Sequence, residues 1–132
     1  MTGGEILNAN DREAIEDALA QAREVSGYTF NVSLDRIIED PRTRAVALHA
    51  ATVDPDNTVL IAVDPVGRSL EIVTGAATQR TLQDSECKFA AATMVTSFRH
   101  GDLAGGLVQG IGQLAEAARS LRVLHARDVA EL

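Results

Sequence analysis

The sequence predicts a single α/β domain in which helices cover both faces of a small mixed β-sheet of three or four strands. Three observations support this prediction. Residues 59–63 form an unbroken aliphatic run, which is typical of a strand buried on both faces. Turn-forming residues 64–68 connect that run to a second strand, which predicts an antiparallel hairpin. A helical segment separates the run from an earlier strand, which predicts a parallel pair with a right-handed crossover.

The predicted order of elements is α-β-α-β-β-α-α. Residues 1–9 are expected to form a flexible N-terminus, residues 10–124 the folded domain, and residues 125–132 a C-terminal tail. A chain of 132 residues is long enough to bury one core. Because only 3% of the residues are aromatic and none is Trp, this core is expected to be aliphatic.

Charge and composition exclude several classes of function. Nineteen acidic against twelve basic residues leave a net charge of −7, which disfavours binding to nucleic acid. No apolar run approaches the roughly 20 residues that cross a bilayer, and the N-terminus lacks the pattern of a signal peptide. The single cysteine, Cys87, excludes an internal disulfide. We expect a soluble cytoplasmic protein that binds neither nucleic acid nor membranes.

Helix and strand patterns alternate in the first half of the chain. Asn10 is expected to cap a helix, with Glu13 completing a capping box and Gly27 ending the helix in the left-handed conformation. Residues 28–34 alternate with period two and predict a strand. Asp40-Pro41 begins a second helix. Its inner stripe is predicted to be Val46, Ala47, Ala50, Ala51 and Val53.

Two strands and two long helices follow. After strands at 59–63 and 69–74, Asp84 is expected to cap a helix that ends at His100-Gly101. A last helix starts at Asp102, and its Gly106 and Gly110 are expected to permit close packing on the sheet. The apolar stripe of this last helix consists of Leu103, Leu107, Ile111, Leu114, Ala118 and Leu121.

Polar residues gather at two opposite edges of the predicted sheet. The exits of the two parallel strands share one edge, which contains Asp35, Asp64 and the turn 65–68. The exit of the third strand, at Gly75, shares the other edge with the loop that precedes the second strand. The oxygen-bearing side chains expected at this second edge are Asp54, Asp56, Asn57 and Asp84.

This second edge is the stronger candidate site. Hard cations take carboxylate and carbonyl oxygens from loops, and a cation would remove the repulsion between neighbouring carboxylates. We therefore predict a divalent cation, calcium or magnesium, held by Asp54, Asp56, Asn57 and Asp84, although the spacing excludes an EF-hand. The alternative is an ordinary turn in which Asp84 is only a helix cap.

The remaining candidate residues favour structural roles. His49, His100 and His125 lack the spacing of metal ligands, and His100 is expected to be a cation at a helix C-terminus. Cys87 lies on an apolar stripe and is expected to be a buried, inert thiol. The glycines of residues 101–112 match no nucleotide-binding motif, so no nucleotide cofactor is expected.

Four segments, in this order, carry a resemblance to a known family: DNTVLIAV at 56–63, RSLEIVTG at 68–75, LQD at 82–84 and FRHGDL at 98–103. They resemble the TPM domain, in which a D-N-G-V-L-L-x-V-A strand precedes an R-x-x-x-I-x-V-G-Y-G strand, an L-T-D helix start and an F-x-x-G-D-Y helix end. More narrowly, the chain is similar to an uncharacterised actinobacterial family of small soluble TPM-related proteins.

The resemblance implies an α/β fold over about residues 11–121. It also supports the expectation of a cation site at the loop that contains Asp54, Asp56 and Asn57. It places Asp56, Asn57 and Asp84 at positions that the family associates with divalent-cation binding and, in some members, with acid phosphatase activity. The family's Gly-Tyr-Gly is replaced here by Thr74-Gly75-Ala76, and its Asn-Gly by Asn57-Thr58.

Three hypotheses of function follow. The preferred one is a non-catalytic binding module that holds a divalent cation and contacts a protein partner. The second is a structural subunit, monomeric or weakly homo-oligomeric, that self-associates through Leu121, Val123 and Leu124. The third is a metal-assisted phosphatase that uses the same loop, with Arg80 offsetting negative charge.

Overall fold

The computed structural model describes residues 7–131, and their side chains over residues 7–119. The elements follow the predicted order. Two short 3₁₀ turns, Pro55–Asn57 and Thr78–Arg80, lie before β2 and after β3. The helices and strands are α1 (Ala9–Ser26), β1 (Thr29–Leu34), α2 (Pro41–Ala50), β2 (Thr58–Asp64), β3 (Ser69–Thr74), α3 (Asp84–Arg99) and α4 (Leu103–Glu131).

The sheet has three strands in the order β1-β2-β3. β1 runs parallel to β2, with Thr29 opposite Thr58 and Leu34 opposite Val63. β3 runs antiparallel to β2, with Asp64 opposite Ser69 at the hairpin. The predicted mixed sheet, with one parallel and one antiparallel pair, is therefore confirmed.

Helices cover both faces of the sheet, as predicted. Every residue of β2 is buried, which explains its unbroken aliphatic sequence. Val59, Ile61 and Val63 enter the larger core, to which α1, α3 and α4 contribute. On the other face a smaller core lies beneath α2, and it contains Ala45, Leu60, Ala62 and Val73.

Two helices begin differently from the prediction. The cap of α1 is Asn8 rather than Asn10: its side chain accepts from Asp11 N–H at 2.8 Å, and the Asp11 carboxylate accepts from Asn8 N–H at 3.1 Å. The cap of α3 is Gln83, whose N–H donates to Glu86 at 2.8 Å, so Asp84 is the first residue of the helix. A carboxylate there still favours the helix, because the first turn carries free N–H groups.

The inner face predicted for α2 was wrong. The buried residues of this helix are Ala45 and His49, whereas Val46 is 46% exposed and Val53 is fully exposed. The helix packs through the small Ala45, and His49 is accommodated because its Nε2 lies 2.9 Å from the carbonyl oxygen of Thr58. Hydrophobicity alone does not anticipate a buried histidine.

The glycine pair of α4 faces α3 instead of the sheet. A Cβ added at Gly106 would lie 2.8 Å from Phe98 and Ser97 side-chain atoms, and one at Gly110 would lie 2.4 Å from Met94 Cγ. The predicted apolar stripe is buried from Leu103 to Ala118, while the side chain of Leu121 lies outside the described residues. In the described part of the chain, no helix is long and apolar enough to cross a membrane.

Candidate functional site

The predicted site lies in residues 52–57, which we call the acidic loop. It connects α2 to β2, and its last three residues form the 3₁₀ turn Pro55–Asn57. Asp54 organises the turn: its carbonyl accepts from Asn57 N–H at 3.1 Å and from Thr58 Oγ1 at 2.6 Å. The Asn57 side-chain amide donates to Asp54 Oδ2 at 3.0 Å. The acidic loop therefore contains an ordered turn that is held by both the backbone and the side chain of Asp54.

The exit of β3 meets the acidic loop, as the topology predicted. A Cβ added at Gly75 would lie only 1.9 Å from the carbonyl oxygen of Pro55, so no other residue fits without a backbone shift. Ala77 N–H donates to Asp56 O at 2.9 Å. The hydroxyl of buried Thr78 accepts from Gly75 N–H at 2.6 Å. The segment after β3 and the acidic loop are thus in direct contact through their backbones.

The structure gathers only part of the predicted ligand set. Asp54 and Asn57 are in contact, and Asp56 lies beside them in the same turn. Asp84 lies at the start of α3, where its negative charge helps to raise the pKa of Cys87. Within the described residues, no three His, Cys, Asp or Glu side chains are placed so that they could hold a metal ion. The cation site stays a prediction.

The nucleophile and base candidates occupy structural positions. Burial is the largest cause that raises the pKa of the Cys87 thiol, followed by the charges of Asp84 and Glu86. His100 Nδ1 lies 2.8 Å from the carbonyl oxygen of Thr96, at the end of α3. The side chain of His125 lies outside the described residues.

The opposite edge of the sheet is built around Asp64, which sequence reasoning placed there without a role. This side chain is almost fully buried, with 2% exposure. Its carboxylate accepts from Gly67 N–H at 2.8 Å, Ile37 N–H at 2.9 Å and Val66 N–H at 3.1 Å. The hydrogen bond from Gly67 is the largest of the causes that lower the pKa of Asp64, and Arg36 at 3.7 Å lowers it further.

The turn next to Asp64 places an arginine in an unusual conformation. Gly67 is required for close approach, because an added Cβ would lie 2.5 Å from Asp64 Oδ2. The left-handed position of the turn then falls on the next residue, Arg68, whose φ is +59°. Among the described residues, Arg68 is the one non-glycine residue with a positive φ. This conformation costs an L-residue about 1–2 kcal/mol.

A cleft of about 820 Å³ opens between this hairpin and α3, and we call it the hairpin cleft. Sequence reasoning missed it, because its two walls come from segments about thirty residues apart in the chain. Buried and half-buried apolar side chains line its interior. The main apolar residues of the lining are Leu70, Ala91, Val95, Phe98 and Leu103.

In the polar lining of the hairpin cleft, the acidic side chains have interaction partners and the arginine side chains have no ion-pair partner among the described residues. Asp64 is bound by the backbone N–H groups described above, and Glu71 lies 3.5 Å from Arg42. Arg68 and Arg99 line the same cleft, are exposed, and form no ion pair within residues 7–119. The Oγ of Ser69, also in the lining, is buried without a hydrogen-bond partner in the described part of the chain.

Fold and site together define a small α/β domain with an acidic loop at one edge of the sheet and an arginine-bearing cleft at the other. Residues 5–115 match the family described as "Domain of unknown function (DUF5130)", and the chain belongs to this family. It is also similar to two uncharacterized proteins of Mycobacterium tuberculosis, MT2543 of strain CDC 1551 / Oshkosh and Rv2468c of strain ATCC 25618 / H37Rv.

Each of these relatives is 29% identical over 105 residues. The match covers 80% of this chain, and the chain spans only 63% of the length of either relative. The predicted link to actinobacterial relatives is therefore confirmed. The resemblance to the TPM domain stays a hypothesis based on the motifs quoted above.

Two solved structures share the fold. The BA42 protein from the psychrophilic bacterium Bizionia argentinensis, solved by NMR, has a TM-score of 0.78 and 25% identity, and the match covers 86% of this chain and 82% of BA42. The N-terminal domain of the cg2496 protein from Corynebacterium glutamicum has a TM-score of 0.67 and 20% identity, with coverage of 86% and 72%. The second likeness shows the fold alone.

Proposed function

We propose that this domain is a non-catalytic binding module that contacts a protein partner through the acidic loop. The observation that carries the proposal is the combination of a fixed backbone with exposed side chains. Gly75 and Ala77 contact the loop backbone, and Thr58 bonds to Asp54 O. Val53 is nevertheless fully exposed, and Asp54 and Asp56 are exposed beside it. A surface already held in one conformation loses little entropy on binding.

The chemistry of the loop indicates the kind of partner. An exposed valine between polar neighbours is suited to an apolar pocket on the partner, with the carboxylates at the rim of the contact. Two carboxylates in a chain of net charge −7 favour a partner with a basic surface, because opposite potentials speed association and orient the two molecules.

Three observations support a module without chemistry of its own. The raised pKa of Cys87 keeps the thiol protonated, and a thiol is a poor nucleophile. The Nε2 of His49 is engaged with Thr58 O, inside the fold. The Nδ1 of His100 is engaged with Thr96 O at the end of its helix. Among the described residues, no specific contact favours the phosphatase alternative, which stays a prediction. Self-association through residues beyond 119 also stays a prediction.

A divalent cation on the acidic loop is a narrower form of the proposal, and the fit is partial. Calcium takes six to eight oxygen ligands. The loop offers the carboxylates of Asp54 and Asp56 and the amide oxygen of Asn57, but Asp54 Oδ2 already accepts a hydrogen bond from the Asn57 NH₂ group. A cation held there would keep most of its water, so we expect dissociation constants of about 1 mM or weaker.

Titration of isotopically labelled protein with calcium and then magnesium chloride, followed by backbone amide shifts, tests the cation. Saturable shifts at Asp54, Asp56, Asn57 and Gly75 that are lost in Asp56→Asn would support it. Shifts that are absent, or spread evenly over the acidic surface, would remove the cation from the proposal and leave the protein contact standing.

Quantitative capture from a lysate of the source organism, with matched variants, tests the protein contact. Val53→Ser and Asp56→Asn should each lower recovery of a bound protein at least about tenfold. Val66→Ser is the control, because Val66 is 49% exposed but lies in the hairpin at the other edge of the sheet. Equal recovery by all variants, or no recovered protein that responds to the loop, would overturn the proposal.

A further inference from the structure

We propose that the hairpin cleft binds an amphipathic small anion: an apolar body that carries one carboxylate or phosphate group. The cleft lies at the opposite edge of the sheet from the acidic loop. The inference is therefore independent of the function proposed for that loop, and either can fail alone.

The acidic and basic side chains of the hairpin cleft differ in whether they have ion-pair partners. Asp64 accepts three backbone N–H groups and interacts with Arg36, and Glu71 interacts with Arg42. The acidic groups of the lining therefore have their own partners. Arg68 and Arg99 have no ion-pair partner in the described part of the chain. They remain unpaired although acidic residues outnumber basic ones and the net charge is −7.

Arginine side chains are well suited to bind carboxylate and phosphate groups. A guanidinium presents several N–H donors in a plane, which matches the paired oxygens of a carboxylate or phosphate. Two unpaired guanidinium groups at one cleft are suited to hold such a group at its mouth.

The interior of the hairpin cleft is largely apolar. Ala91, Val95 and Phe98 recur at helical spacing on the face of α3 that lines the cleft, and Leu70 lies across from them on β3. These side chains are half-buried. A volume of about 820 Å³ lies within the range of small-molecule sites. An apolar interior with a few convergent polar groups is typical of such sites.

The conformation of Arg68 supports its place in the site. Glycine would occupy a φ of +59° without strain, yet the chain has an arginine there. The strained residue is also one of the two cations of the cleft. This makes it useful as a probe, because Arg68→Gly removes the guanidinium while relieving the backbone.

The test is a titration of isotopically labelled protein, followed by backbone amide shifts, with four probes. Octanoate and octyl phosphate, below its micelle concentration, combine a charged group with the same chain and distinguish the two headgroups. Octan-1-ol has the chain without the charge, and inorganic phosphate the charge without the chain. We expect one or both amphipathic anions to give saturable shifts at Arg68, Ser69, Val95 and Gly101, at least about tenfold tighter than either control probe.

Matched variants connect binding to the two arginines. Arg68→Gly and Arg99→Gln should each weaken the anion about tenfold. Arg80→Gln has the same change of charge but lies after β3, outside the cleft, and should bind as the parent does. An unchanged spectrum of Arg68→Gly away from the hairpin verifies that this variant is folded.

Three results would overturn the inference. Binding of octan-1-ol as tight as that of octanoate would show that charge has no part in the site. Equal affinity of Arg68→Gly, Arg99→Gln and the parent would show that the arginines do not contact the anion. The highest concentration of each anion is 10 mM, which is roughly tenfold above a weak dissociation constant of about 1 mM. If neither anion gives a localised shift at this concentration, the cleft is not a site for this class of ligand.

Discussion

The carboxylate of Asp64 accepts a hydrogen bond of 2.9 Å from the backbone N–H of Ile37, a residue 27 positions earlier in the chain. The other oxygen of Asp64 accepts from the hairpin residues Val66 and Gly67. One buried carboxylate therefore ties the segment after β1 to the β2–β3 hairpin. This connection holds together the edge of the sheet that contains the hairpin cleft.

Asp64→Asn should destabilise the protein. The amide keeps one oxygen for three N–H donors, and its own NH₂ group has no acceptor among them. We expect a loss of about 2–3 kcal/mol in the free energy of unfolding, measured with urea at pH 7. Asp35→Asn is the control: Asp35 is exposed, and among the described residues its carboxylate accepts from Arg36 N–H alone. The free energy of unfolding should therefore change by no more than about 0.5 kcal/mol.

The same pair of proteins has a predictable pH dependence. Because the pKa of Asp64 is lowered in the folded state, its contribution is fully present above its unfolded value of about 3.9 and is lost as the pH falls through the folded value. The stability difference between parent and Asp64→Asn should thus stay constant from pH 7 to about 5 and shrink below about 4. A difference that remains the same at pH 2.5 would contradict this account.

Gly75→Ala should disturb the junction between β3 and the acidic loop. The new methyl group would lie 1.9 Å from the Pro55 carbonyl oxygen, and a backbone atom cannot turn away as a flexible side chain can. We expect a loss of about 2–3 kcal/mol. Gly112→Ala is the matched control, because a Cβ there has open space in the middle of α4. This control should gain about 0.5–1 kcal/mol, and equal effects at both sites would refute the close contact.

Asn8→Ala and Asn10→Ala distinguish the two candidate caps of α1. Asn8 exchanges hydrogen bonds with Asp11, so its loss should cost about 1 kcal/mol of stability. Asn10 is an exposed residue inside the helix, where alanine is the better helix former, so the second change should be neutral or slightly stabilising. Urea unfolding monitored by circular dichroism measures both, and the reverse order would restore the cap at Asn10.

Cys87 should react slowly with iodoacetamide at pH 8. Its raised pKa reduces the fraction of thiolate, which is the reacting form. We expect the folded protein to react at least about threefold more slowly than the same protein in urea. Asp84→Asn and Glu86→Gln should each speed the reaction of the folded protein, because both carboxylates raise the pKa. A rate that the two variants leave unchanged would indicate that limited access, and not charge, protects the thiol.

Local patterns predicted much of the architecture. Gly27 ends α1 in the left-handed conformation, Asp40 caps α2 ahead of Pro41, and β3 spans the predicted residues. Period-two alternation, the aliphatic run of β2 and the short hairpin turn were sufficient to predict the sheet. The meeting of Gly75 with the acidic loop also followed, because strand direction determines which loops share an edge.

The choice between equivalent local patterns needed the tertiary structure. Asn8–Asp11 and Asn10–Glu13 have the same spacing, so each pair could form the capping box of α1. The structure uses Asn8–Asp11, and the residue before this pair, Leu7, is buried in the core with 5% exposure. Val46 is more hydrophobic than Ala45, yet Ala45 faces the sheet. In both cases the competing residues have similar local energies, so contacts with distant elements decide.

The class of fold, the order of elements and the two polar edges follow from the amino-acid sequence alone, because these depend on periodicity and on turn chemistry within short segments. How those edges are built depends on contacts that form only in the folded chain. Asp64 acquires its role from Ile37, and Arg68 shares a cleft with Arg99 because the hairpin and the end of α3 lie together in space. Such contacts join segments far apart in the chain, and no local pattern encodes them.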